Sequence, residues 1–117
     1  MYGEFNFASS KVYDSGLKYQ LLQNDEADVT PAYTTDGPLA DTEQFTLLTD
    51  DKQMWPPYYL APVVRDDVLA EHGDIADILN KVSAALDTET LTSLNAQVDV
   101  EKREYEEVAA EFWESIR

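Results

Sequence analysis

The residues best suited to chemistry lie in a proline–aromatic run that spans residues 50–65. Three prolines and three aromatic residues fall within eight positions, and two of the aromatics are the adjacent Tyr58 and Tyr59. The Pro-Pro pair before them excludes helix and fixes a stiff, extended path, so the tyrosines lose little entropy on contacting a ligand. Ring faces attract cations, so such a run suits a site that binds an apolar cation. The alternative is an edge strand bounded by prolines, with its tyrosines packed half in and half out.

A further tyrosine, Tyr33, ends a predicted strand directly before the turn sequence Thr34-Thr35-Asp36-Gly. Ligands of α/β folds bind at the carboxyl ends of parallel strands. Tyr33 and a tyrosine of the proline–aromatic run are therefore candidates for two walls of an aromatic box around a cation. The alternative is that Tyr33 is a strand-end residue packed on a neighbouring proline.

Other chemistries leave few traces in the chain. Cysteine is absent, which excludes disulfides, thiolate metal sites and cysteine nucleophiles. The single histidine, His72, stands at a predicted helix end, which suits a cap or a surface residue better than a zinc site or a catalytic triad. The scattered glycines form no phosphate loop, and the acids do not follow calcium-loop spacing. We therefore expect no metal, no cofactor and no catalysis.

The chain is strongly acidic, with 24 acidic and eight basic residues among 117 and a formal charge of -16. This charge makes nucleic acid a poor partner and attracts small cations, although acids also serve simply to solvate a surface. Hydrophobic content of 44% favours a folded globule with one core. We see no signal peptide and no apolar run long enough to cross a bilayer, so we expect no direct membrane insertion.

The first half of the chain has an α/β pattern. Hydrophobic alternation predicts strands over residues 5–13, 27–33, 45–48 and 60–64. A helix over residues 16–23 follows the first strand, with Asp14 or Ser15 as its N-cap and Asn24 as a left-handed C-terminal residue. The order strand, helix, strand implies a parallel pair with a crossover helix.

From Asp66 onward the pattern is helical. Gly73 predicts a helix end, Asp74 caps a helix over residues 75–86, and Asp87 or Thr88 caps the next. Residues 98–100 are predicted as a short extended link before a last helix over 103–116. These amphipathic helices need a sheet face to cover, so the sequence holds parts of two layers without all of either.

Eight segments of the chain form a collinear set of motifs. They are DSGLKYQLL at 14–22, EADV at 26–29, AYTTDG at 32–37, DDK at 50–52, PPYYLAPVVR at 56–65, residues 75–86, LNAQVDV at 94–100 and VAAEF at 108–112. Each motif is weak alone, but together they extend over nearly the whole chain. In these motifs the chain resembles the substrate-binding proteins of glycine betaine/carnitine/choline ABC transporters.

The resemblance implies an α/β, partial periplasmic-binding-protein-like (type II) fold, with a short parallel or mixed sheet followed by C-terminal helices. Residues 1–49 would end the second ligand-binding lobe, 50–65 would form a hinge or crossing strand, and 66–117 would supply C-terminal helices of the first lobe. It also implies a cage of tyrosines around a quaternary ammonium solute. Tyr33 and Tyr58 fall on cage positions, and Tyr59 is an alternative to Tyr58.

By the same resemblance, Thr34, Thr35 and Asp36 border the ligand cleft. The family also implies an extracytoplasmic location, either periplasmic or lipid-anchored, and an ABC permease as partner. Only the C-terminal portion of the family is recognisable here, so we expect an incomplete cage, poor affinity in isolation, and completion of the sheets by dimerisation or strand swapping with a second copy. The competing hypothesis is an acidic helical protein–protein interaction domain.

Overall fold

The computed structural model describes Gly3 and residues 6–117, and the regular structure within this part of the chain is helical. Five α-helices follow one another, with two single 3₁₀ turns among them. They are the first 3₁₀ turn (Ser15–Leu17), α1 (Lys18–Gln23), the second 3₁₀ turn (Gly37–Ala40), α2 (Asp66–Glu71), α3 (Ile75–Ala85), α4 (Thr88–Asp99) and α5 (Tyr105–Ile116).

The beginning of the first helical segment matches the prediction, and its end differs by one residue. The Asp14 carboxylate accepts a hydrogen bond from the Gly16 amide at 2.9 Å. The left-handed residue is Asp25, with φ of 57°, rather than Asn24, with φ of -88°. The amides of Asp25 and Glu26 donate to carbonyls of the last helical turn, which is the Schellman arrangement. Asn24 therefore still belongs to the helix end, and the chain reverses one residue later.

The later helices confirm most of the predicted boundaries. Asp87 caps α4, since its carboxylate accepts from the Thr90 amide at 2.8 Å. The predicted extended link over residues 98–100 is wrong, because α4 continues to Asp99 and the Val100 amide still donates to the Ala96 carbonyl at 2.9 Å. The alternation of Val98, Asp99 and Val100 suggested an extended segment, but the helix that precedes these residues determines their conformation.

The predicted strands are not formed within residues 6–117. Residues 27–33, 45–48 and 60–64 carry no strand pairing, and neither do residues 7–13, while Phe5, the first residue of the predicted opening strand, lies outside the described residues. A strand exists only through a neighbour that pairs with it, and these segments run without one. Many of their apolar side chains are accordingly open to solvent, as for Val12 at 99% and Val63 at 95% exposure, although Phe45 packs edge-to-face on Tyr19. The sheet of the expected α/β fold is thus absent from the described part of the chain.

The core enclosed by the described residues is thin. Its buried hydrophobic side chains are Ala96 on α4 and Val108 on α5. The radius of gyration is 18.1 Å, whereas a compact chain of this length has about 13 Å. The second 3₁₀ turn packs on α4, and α5 packs on α3 and α4. This packing leaves wide apolar faces uncovered, and the division into lobe, crossing strand and lobe helices stays a prediction.

Candidate functional site

The turn that follows Tyr33 is clamped onto α4 through its backbone. The Thr34 carbonyl accepts a hydrogen bond from the Thr92 hydroxyl at 3.1 Å, and the Thr35 carbonyl accepts from the Asn95 side-chain amide at 2.7 Å. These bonds join positions about sixty residues apart in sequence. They fix the path of the chain directly after Tyr33.

Gly37 allows this close approach. A Cβ atom at Gly37 would lie 2.8 Å from the carbonyl carbon and oxygen of Asn95 and 2.9 Å from the Ala96 amide nitrogen. All three atoms are backbone of α4, which cannot shift without distorting the helix. The glycine is buried, so the second 3₁₀ turn rests directly on the helix backbone. Glycine at this position is a requirement of packing rather than of a left-handed turn.

A second set of contacts ties the same turn to α1 through Asp36. Its Oδ2 atom accepts a hydrogen bond from the Tyr19 hydroxyl at 2.7 Å and from the Tyr33 amide at 3.2 Å. The Lys18 ammonium also contacts this oxygen as an ion pair. Asp36 therefore binds the start of α1 and the backbone of Tyr33 at one point.

These contacts change the pKa values of the Asp36 carboxyl and the Tyr19 hydroxyl. Burial would raise the pKa of Asp36, but the hydrogen bonds from Lys18, Tyr19 and the Tyr33 amide outweigh it and leave that pKa below its ordinary value. Burial, reinforced by the hydrogen bond to Asp36 and by its negative charge, raises the pKa of Tyr19. At neutral pH the aspartate is thus a carboxylate and the tyrosine a neutral donor.

Tyr33 and Tyr58, which the sequence placed on separate segments, are brought together. Their ring centroids lie 6.4 Å apart with the planes at 73°, an edge-to-face contact. Both rings remain largely open to solvent, at 65% and 78% exposure. The ring pair is formed with Tyr58 rather than Tyr59, which is 85% exposed. The two rings are therefore in contact, and their role as walls of an aromatic box around a ligand stays a prediction.

The two rings face a broad hollow of about 2860 Å³. Thr34, Thr35 and Tyr59 line it together with the ring pair. Asp36 instead directs its carboxylate to α1. Pockets that enclose a small molecule measure roughly 300–1,000 Å³, so this hollow is an open trough with walls on some sides. A ligand here would touch the rings and keep much of its surface in water.

Lys18 and Tyr19 were not predicted as site residues. The Lys18 ammonium lies 5.8 Å from the centroid of the Tyr33 ring and 5.2 Å from that of Tyr19, close enough for cation–π attraction to both. Both residues fall within the helix that was predicted over residues 16–23. The sequence feature that could have indicated their role is a lysine next to a tyrosine on a short helix, followed by a turn whose aspartate can bind both side chains.

The described residues contain no group of three or more histidine, cysteine, aspartate or glutamate side chains placed to hold a metal ion. Among the described helices, none combines the length and the apolar character needed to cross a bilayer.

Comparison with known proteins places these features in a family context. Residues 1–115 match the family described as the substrate binding domain of ABC-type glycine betaine transport systems. A glycine-betaine-binding protein of Pseudomonas aeruginosa is 40% identical over 99 residues, which cover 85% of this chain and 32% of the relative. The carnitine transport binding protein OpuCC of Listeria monocytogenes is 35% identical over 115 residues, covering 90% of this chain and 37% of the relative.

A third relative, the ergothioneine transport permease/ergothioneine binding protein EgtU of Helicobacter pylori, is 29% identical over 112 residues, which cover 96% of this chain and 20% of that protein. The chain therefore spans about a third of the length of the first two relatives, and less of the third.

Proposed function

Because this chain belongs to the family of substrate-binding domains of ABC-type glycine betaine transport systems, we propose that it supplies part of a binding site for a quaternary ammonium solute. The relatives are named for glycine betaine, carnitine and ergothioneine. All three compounds carry a trimethylammonium group, which has no N–H to donate and presents a diffuse positive charge on methyl groups. The ring faces of Tyr33 and Tyr58 are chemically suited to that group.

The observation that carries the proposal is the edge-to-face contact between Tyr33 and Tyr58 at the hollow. Two ring planes that meet at 73° form a corner, and a cation in that corner would lie against the faces of both rings, as between two adjacent walls of a box. Each cation–π contact contributes about 0.5–2 kcal/mol, depending on how far water is excluded. We propose Tyr33 and Tyr58 as the ligand contacts, Tyr59 as the alternative to Tyr58, and Thr34, Thr35 and Asp36 as the border of the cleft.

The exposure of both rings supports weak binding by the chain alone. Water reaches the rings from the open side of the hollow, which lowers the value of each contact toward the bottom of its range. Two such contacts contribute about 1 kcal/mol together, and partial burial of the methyl groups adds about 1 kcal/mol, which is less than the roughly 4.1 kcal/mol of a 1 mM dissociation constant. We therefore expect a dissociation constant on the order of tens of millimolar. The proposal gives the chain a binding role rather than a catalytic one.

A titration with choline tests the proposal directly. Trp55 lines the same hollow and is 66% exposed, so its fluorescence reports on occupancy, and NMR chemical shifts of the tyrosine rings report on the contact itself. The control ligand is dimethylbutanol, the neutral carbon isostere of choline, which has the same shape without the charge. Saturable shifts with choline that the isostere does not match would support a cation site. Identical weak responses to both compounds would refute it.

We further propose that the chain acts outside the cytoplasm, periplasmic or lipid-anchored, and that an ABC permease is its partner. The family membership supports both statements. The comparisons do not favour the competing hypothesis of an acidic interaction domain, because the matched relatives are named for small-molecule transport.

We also propose that a second copy covers the open faces at high concentration, by pairing or exchanging extended segments. The support is the run of exposed apolar residues on unpaired backbone, such as Leu60 at 74% and Val63 at 95% exposure. Light scattering over a concentration series tests it, and a monomer throughout would contradict it.

A further inference from the structure

We propose that Asp36 sets the affinity of the Tyr33 site for cations without contacting the ligand, by neutralising the Lys18 ammonium that lies beside the Tyr33 ring. This inference rests on the proposed function, because it concerns the same site. It assigns Asp36 an electrostatic role and makes Lys18 a determinant of ligand affinity.

The geometry behind the inference is a fixed cation at the wall of a proposed cation site. Lys18 Nζ is 5.8 Å from the centroid of the Tyr33 ring and forms an ion pair with Asp36 Oδ2. Both side chains are about one-fifth exposed, at 19% and 21%, so solvent screens the pair only partly. Tyr19 and the Tyr33 amide donate to the same oxygen, which holds the carboxylate in place.

The charges explain why the pairing matters for a cationic ligand. A lone ammonium beside the ring would repel a quaternary ammonium on the ring and would already be attracted by the ring's π electrons. With Asp36 ionised, the pair has no net charge, and the repulsion falls to that of a dipole. Removing the aspartate and removing the lysine must therefore act in opposite directions on cation affinity.

Three variants, measured beside the unaltered chain, test this opposition by NMR titration with choline at low salt. We expect Asp36→Asn to weaken choline binding about fivefold, since it leaves the ammonium uncompensated, and Lys18→Gln to strengthen it by a similar factor, since it leaves the carboxylate. The double variant should return close to the unaltered chain. Asparagine keeps a side-chain oxygen that can accept from the Tyr33 amide, and circular dichroism checks that each variant keeps its helices.

Matched controls separate this effect from the general charge of the protein. Asp77→Asn and Lys81→Gln make the same charge changes four residues apart on α3 and should leave choline binding unchanged. Binding of dimethylbutanol should be insensitive to all of these substitutions. The changes in choline affinity caused by Asp36→Asn and Lys18→Gln should become smaller in half-molar salt, because salt at that concentration screens charges at this separation.

Each outcome decides the inference. Opposite signs with restoration in the double variant support it. A loss of affinity in both single variants, or a loss of helix in Asp36→Asn, would make the pair a structural support and overturn it, as would equal effects on choline and its neutral isostere. If the substitutions have no effect on a chain that binds choline, the inference fails and the proposed function stands. If the unaltered chain does not bind choline, both fail.

Discussion

Replacing Gly37 by alanine should detach the turn after Tyr33 from α4. The added methyl group would lie 2.8 Å from the Asn95 carbonyl carbon and oxygen, which is far inside normal contact distance. Neither the turn nor the helix can move without losing the hydrogen bond from Asn95 to the Thr35 carbonyl. Overpacking of this kind together with a lost hydrogen bond should lower the free energy of unfolding by about 2–4 kcal/mol.

The chain offers a matched control in Gly73, between α2 and α3. A Cβ atom there meets no other atom within 4 Å. Gly73→Ala should therefore change stability by about 0.5–1 kcal/mol at most, on the stabilising side, because alanine restricts the unfolded chain. The assay is urea unfolding followed by far-ultraviolet circular dichroism. The free energies of the two variants are compared on condition that they depend on urea concentration with the same slope. If Gly37→Ala costs no more than Gly73→Ala, the close packing of this turn on α4 is refuted.

Three further predictions concern single side chains. Tyr33→Ala should weaken choline binding, measured by calorimetry, by about 2- to 30-fold while leaving the fold intact. Tyr105→Ala removes an equally exposed ring on α5 and should leave the affinity for choline unchanged. An unaltered affinity in Tyr33→Ala would remove that residue from the site. The pKa of Asp36 is lowered in the folded state, so its stabilising contribution is present above its ordinary pKa of about 3.8 and is lost as the pH falls below that value. The free energy of unfolding should therefore depend less steeply on pH in Asp36→Asn when the chain is unfolded by acid. An unchanged pH dependence would contradict the lowered pKa of Asp36. Asp87→Ala should lower the thermal midpoint more than Asp74→Ala, since the Asp87 carboxylate caps its helix and Asp74 makes no such bond; equal midpoints would show that the cap contributes nothing.

The helices were predictable from local signals. Asp14 and Asp87 bond to the amides expected of N-cap residues, and α2 begins at Asp66 with a second acid in its first turn. Each of these signals acts within one helical turn, so no distant partner is needed. Two helix ends were misplaced: the chain reverses at Asp25 rather than Asn24, and α4 continues through the predicted link at residues 98–100, where two valines were given more weight than the helix before them.

Local sequence patterns could not predict whether the strands would pair, nor the packing that holds the candidate site in place. Alternation around Val29 or Val63 predicts a segment that is able to pair, but pairing needs a neighbour that a single segment does not encode. Rigid backbone and resemblance predicted that Tyr33 and Tyr58 lie together, and their rings do meet, while the aromatic box itself stays a prediction. The role of Gly37 depends on α4, which lies nearly sixty residues later, so its sequence neighbours gave no warning of it.

The clamp on the turn has a consequence for how binding preference can change among related chains. α4 grips carbonyl oxygens at positions 34 and 35, and every amino acid provides that oxygen. We infer that the two threonine side chains are free to be exchanged at the rim of the trough while the aromatic wall beside them keeps its position. A new selectivity can thus be acquired one substitution at a time, with no redesign of the frame that carries the ring.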